Sequence, residues 1–304
     1  MTIPTLSLEE LRDNLRRALD WLTLVGVRAE PTRLAQYRTR LEEVVSARAA
    51  GKGLRHPSKA YWAAIHEAAE LCRIVEGAHQ LEMSDELIQR LAQLRDGPYF
   101  AMDEWTDAGR RKNHRPRDIG FELVCAGLLV GARISTRFPR VGDLECQVAG
   151  QRILVECKRV ASLETFDERV EEAFGQIGSR RRRYPGALGL TFIDVTPYFN
   201  ESVHAWEIPD EATMRNGLNT FMERVRTHAR SKWPRSHFGP HTLGLFFRLS
   251  TVVLLREPEL DTLYHHWHFD THLAARTELG TVVHALAAGI QSHIPDEQFR
   301  LVVQ

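Results

Sequence analysis

The stretch Gly142–Val160, GDLECQVAGQRILVECKRV, constrains the fold more tightly than any other part of the chain. Two apolar-alternating runs flank a tight polar turn, and that pattern predicts a β-hairpin. Leu144, Cys146 and Val148 share one face of the first strand, and Asp143, Glu145 and Gln147 share the other. In the second strand Ile153, Val155 and Cys157 face one way, and Leu154, Glu156 and Lys158 the other, because strand side chains alternate. A turn at Ala149–Gln151 brings Asp143 and Glu156 together at one end of the hairpin. Adjacent carboxylates repel unless a cation lies between them. Hard oxygen ligands suit Mg²⁺ or Mn²⁺, and Lys158 on the same face can position a water for attack.

The flanking sequence extends the pattern. DIGFELVCAGLLVGA predicts a helix capped by Asp118, and RISTRF, GDLECQV and RILVECK predict three successive strands. SLETFDERVEEAFGQIGSRRRRY predicts a helix with Phe166, Val170, Phe174 and Ile177 on one face, and ALGLTFIDV a further strand. The order is α-β-β-β-α-β. Glu122 is the only charge in FELVCAGLLV. A buried lone carboxylate costs several kcal/mol unless it finds a partner, and a metal at the hairpin is one such partner.

Asp143 followed by Glu156-Cys157-Lys158 resembles the Asp…(Asp/Glu)-x-Lys motif of the restriction-endonuclease-like, or PD-(D/E)xK, nucleases, and the element order resembles their shared core. The resemblance covers residues 118–200 or thereabouts. It implies an α/β (mixed α+β) fold in which Asp143 and Glu156 hold Mg²⁺ or Mn²⁺, helped by the backbone carbonyl of Cys157. It further implies that Lys158 orients the attacking water, that Glu122 adds a metal ligand from the first core helix, and that Gln176 joins the catalytic group from the second. The chain departs from the family pattern at Gly142, where many members have Pro. It departs again at Arg180, where exonuclease-like members have Tyr four residues after the Gln.

Residues 1–117 read as a helical N-terminal domain. Ser7 and Glu10 have capping-box spacing, and Leu11, Leu15, Leu19 and Leu22 follow at helical intervals. Further helices are expected in PTRLAQYRTRLEEVVSARA, SKAYWAAIHEAAELCRIVEGAH and SDELIQRLAQLR. This region is expected to serve as a scaffold or as a docking surface for a homodimer or a partner protein. The basic run Arg110–Arg117 fits a linker. The remainder, 118–304, reads as the nuclease domain with a mixed C-terminal extension: helices near 211–233 and 279–291, and strands near 242–256 and 262–270.

Lys plus Arg and Asp plus Glu both total 40, so a polyanionic partner must be recognised by local charge. Arg137 with Arg140, the run before Asp118, and Arg180, Arg181, Arg182 and Arg183 supply it. The last four are expected to contact nucleic-acid phosphates through their forked donors. His265, His266, His268 and His272 cluster in YHHWHFDTH, but nothing nearby completes a zinc site. Cys72, Cys125, Cys146 and Cys157 form no CxxC pair and read as buried thiols in a reducing compartment. With no signal region or membrane span legible, a cytoplasmic location is expected. The functional expectation is a metal-dependent nuclease acting on DNA, in a restriction or antiviral defence role by analogy. The alternatives are a silent nuclease-fold subunit that binds nucleic acid or a partner, and an RNase.

Overall fold

The computed structural model describes residues 7–50, 59–99, 114–200, 205–233, 241–256, 259–273, 277–294 and 299–303. Four helices lead the chain: α1 (Leu8–Leu24), α2 (Arg33–Ala49), α3 (Lys59–Ala78) and α4 (Asp85–Gln93). The capping box at α1 forms as the sequence predicts. Ser7 N–H donates to Glu10 Oε2 at 2.8 Å, and Glu10 N–H donates to Ser7 Oγ at 3.1 Å. The predicted α-β-β-β-α-β order follows as α5 (Arg115–Gly131), β1 (Ser135–Arg137), β2 (Leu144–Val148), β3 (Gln151–Arg159), α6 (Leu163–Arg181) and β4 (Leu188–Asp194). Helix α5 starts earlier than expected. Pro116 stands in its first turn, and Asp118 lies inside that turn rather than at the cap.

The chain continues through α7 (Thr196–Phe199), β5 (Trp206–Ile208), α8 (Glu211–Lys232), β6 (Thr242–Arg256), β7 (Glu259–Thr271), α9 (Glu278–His293) and β8 (Phe299–Val303). One eight-stranded sheet runs β1-β2-β3-β4-β6-β7-β8, with β5 pairing the distal half of β6. The pairs β1–β2 and β2–β3 are antiparallel, and β3–β4 and β4–β6 are parallel. The C-terminal segment is therefore not an appendage: its strands complete the sheet on the β4 side. The hairpin closes on a two-residue turn, Ala149–Gly150, with both φ angles positive. That turn matches the right-handed twist of the strands it joins.

Helices cover both faces. The first apolar cluster joins α1–α5 and α9 to Ile153, Val155, Leu190, Phe192 and Phe246 of the sheet. The second joins α6 and α8 to Ile193, Phe247 and Leu249, which alternate with them. The first cluster is continuous from the described residues of α1–α4 to the sheet. The expected boundary at 117 falls within α5, where the buried Arg117 donates to Glu67 of α3 at 2.9 Å and to the Tyr99 carbonyl at 3.0 Å. The supposed linker thus includes a buried anchor, while its residues 110–113 lie outside the described set. Helices α3 and α5 meet at Gly77 and Gly127, where a Cβ on Gly77 would lie 2.4 Å from Gly127 Cα. Among the described residues no helix is long and apolar enough to cross a membrane.

Candidate functional site

The register pairs Leu144 with Val155, so Asp143, one step earlier, sits beside Glu156. Asp143 Oδ2 accepts the Cys157 N–H at 2.7 Å, which ties the acid to the backbone of β3. Glu156 is 1% exposed and points to the α6 side of the sheet. Burial and then the charge of Asp143 push its carboxyl up to about 7, against the pull of Arg180 and Lys158. Glu122 reaches the site from α5. Burial and again Asp143 push it up to about 8, although Arg90 of α4 donates to it at 3.0 Å. Asp143 therefore crowds two other acids, one from each side of the hairpin end.

Lys158 and Gln176 meet as expected, with Lys158 Nζ 2.6 Å from Gln176 Oε1. The ammonium also lies 3.4 Å from Glu172 Oε1 and 3.8 Å from Glu156 Oε2, so three acceptors surround it. The Cys157 thiol faces away, against Cys125 in the core, and burial raises it well above its ordinary range. It is the Cys157 N–H that contacts Asp143.

Arg180 does not stand in the phosphate-binding surface expected of it. It is 6% exposed, and Nη1 donates to Glu156 Oε1 at 2.8 Å and to the Val155 carbonyl at 3.2 Å. Nη2 donates to the Leu144 carbonyl at 3.1 Å. The physical reason is helical phase: Phe166, Val170, Ala173, Ile177 and Arg180 form the buried stripe of α6. Phe174 lies beside that stripe, with its ring 5.4 Å from Trp233. Arg181 is half-buried and donates to the Ala187 carbonyl at 2.9 Å. Arg182 and Arg183 are exposed. Gly142 has φ +96°, which excludes proline, and a Cβ there would lie 2.2 Å from Arg180 Nη1. The two departures from the family pattern are thus one steric arrangement.

Arg90 and Glu172 were absent from the site expected from sequence, and Arg180 was expected only as a phosphate contact. Glu172 carried a usable signal, since it precedes Gln176 by four helical residues. Arg90 carried none, because its contacts lie 32 and 52 residues away, at Glu122 and the Gly142 carbonyl. In the histidine-rich strand, His265 enters the α3 side of the sheet and His266 the α8 side, where Tyr264 OH lies 3.2 Å from His266 Nδ1.

Among the described residues no three Asp, Glu, His or Cys side chains are grouped to hold a metal ion. Glu122 and Glu156 are instead turned toward arginines. Mg²⁺ and Mn²⁺ are commonly held by one or two carboxylates together with waters and substrate phosphate, a smaller protein set than three side chains. Burial and then the charge of Asp143 raise both Glu122 and Glu156, and an arginine contacts each of them. No family model matches the chain, and neither a curated protein nor a solved structure matches it.

Proposed function

We propose that the protein is a Mg²⁺- or Mn²⁺-dependent nuclease of the restriction-endonuclease-like kind that hydrolyses phosphodiester bonds in DNA. The observation that carries this reading is the convergence of Asp143, Glu156, Lys158, Glu122 and Gln176 from two strands and two helices at one end of the hairpin. Asp143 and Glu156 would hold the ion, with the Cys157 carbonyl beside them and Glu122 as a further or outer ligand. When bound, the ion supplies Lewis acidity and stabilises charge developing on the phosphoryl oxygens. Lys158 donates to the attacking water and keeps positive charge next to the reacting phosphate. Gln176 and Glu172 fix its ammonium. Arg182 and Arg183, exposed at the end of α6, contact phosphates along the strand.

A second reading, a silent nuclease-fold subunit, is favoured by the arginines that already neutralise Glu122 and Glu156. The variants Asp143→Ala, Glu156→Ala and Lys158→Ala separate the two. The nuclease reading predicts that all three lose cleavage, that the two acid variants also bind Mn²⁺ more weakly, and that Lys158→Ala still binds it. Wild-type cleavage by Asp143→Ala or Glu156→Ala removes the proposal. A wild type that binds nucleic acid without cleaving it supports the silent subunit.

A further inference from the structure

We infer that Arg180 is a positioning residue, a built-in cation that clamps the strands bearing Asp143 and Glu156 and takes charge that a metal would otherwise neutralise. This rests on the nuclease reading and deepens it.

The guanidinium binds three groups at once. It donates to Glu156 itself, to the carbonyl of Val155 just before that acid, and to the carbonyl of Leu144 just after Asp143. Leu144 and Val155 are cross-strand partners, so one planar fork sets the spacing of the two acids. A planar fork with fixed donors suits that task better than a flexible ammonium. The glycine before Asp143 is part of the device. A Cβ at 142 would stand 2.2 Å from Nη1 and 2.3 Å from Cζ of Arg180. The space is reserved for the guanidinium.

The charge consequence follows. Glu156 is paired with Arg180 and Glu122 with Arg90, while Lys158 lies between Glu156 and Glu172, so both acids already have cationic neighbours before any ion arrives. A dication approaching Glu156 meets a fixed positive neighbour on the same carboxylate. Its affinity for the free protein is therefore held down, and removing Arg180 raises it even while the acids lose their spacing.

The test is Mn²⁺ titration by calorimetry on the full chain, without nucleic acid and at pH 8.5, where protons compete least for the same oxygens, for wild type, Arg180→Met and Arg180→Lys, with cleavage measured alongside. Arg180→Met is expected to bind Mn²⁺ at least about tenfold more tightly, on the scale of a unit charge removed from hydrogen-bond distance, and to cleave more slowly. Arg180→Lys, which keeps the charge, is expected to bind near the wild-type level. A purely structural arginine predicts the opposite sign: weaker Mn²⁺ binding in Arg180→Met. Equal or weaker binding by Arg180→Met, with a wild type that cleaves, overturns this inference alone. No Mn²⁺ binding and no cleavage by any of the three overturns the nuclease reading together with it. Should Arg180→Met fail to fold, Gly142→Ala displaces the guanidinium without changing any charge. Tighter Mn²⁺ binding is then expected, and unchanged affinity overturns the inference.

Discussion

Glu122 and Glu156 bind their protons more tightly in the folded chain than in the unfolded one, because burial and Asp143 raise them to about 8 and about 7. The sign follows from linkage: where the folded state holds more protons, stability falls as pH rises. Their contribution is fully present below about 4.5 and is lost as pH rises toward about 8. Two outcomes are expected in thermal melts. Without divalent ions, Glu122→Gln melts higher than wild type at pH 8.5 and matches it near pH 5. Mg²⁺ raises the wild-type melting temperature more at pH 8.5 than at pH 6, where protons compete for the same oxygens. A Glu122→Gln melting temperature that does not depend on pH relative to wild type contradicts the crowding described at Asp143. At this scale the sequence was informative wherever a residue's role depends on strand alternation. Asp143, Glu156 and Lys158 were placed together by strand alternation and the hairpin turn that sets the register. Arg180 was grouped with Arg181, Arg182 and Arg183 as a phosphate contact because the four run together, although helical phase already carried the first of them into the buried stripe.

Helices α3 and α5 approach so closely at Gly77 and Gly127 that a Cβ on Gly77 would stand 2.4 Å from the Gly127 Cα. Gly77→Ala is expected to destabilise the fold by about 1–3 kcal/mol or more, the usual scale of overpacking. Chemical denaturation checks this, and a neutral result would mean the helices can separate freely. Because α5 carries Glu122, the same substitution is expected to disturb the site. The end of α6 gives a second test. Replacing Arg182 and Arg183 with Gln is expected to flatten the salt dependence of log K for duplex DNA by roughly 0.9 per lost contact. An unchanged slope across a salt series would make these arginines a solvated helix end. The elements of the hairpin unit were legible because each carries its own periodicity. The single sheet was not, since the pairing of β4 with β6 joins residues about fifty positions apart, and local alternation cannot announce such a partner.

Across the described residues, a chain of ion pairs, buried at Arg159, Asp194 and Arg248, ties α3 and α5 to the sheet. Asp118 meets Arg159 at 3.7 Å, Arg159 meets Asp194 at 3.4 Å, Asp194 meets Arg248 at 3.9 Å, and Arg248 binds Glu70 of α3. Burial would raise Glu70, but Arg248 and His66 pull it down to about 2. Arg248→Met leaves Glu70 and Asp194 without that partner, and a loss of about 3–5 kcal/mol is expected. A variant as stable as wild type in urea would show that the chain of pairs is dispensable. The network joins α3 to the sheet beside the apolar cluster that α1–α4 share with it, contacts that the helical pattern of that region could not reveal.

The central claim is that the hairpin end is a metal-dependent phosphodiesterase site. Its most direct test is incubation of the full chain with linear duplex, circular duplex and single-stranded DNA and with RNA, in Mg²⁺, in Mn²⁺ and in EDTA, beside Asp143→Ala. The account predicts cleavage of DNA by the wild type in either metal, none in EDTA, and none by Asp143→Ala. Cleavage that persists in EDTA, or at the wild-type rate in Asp143→Ala, would contradict it.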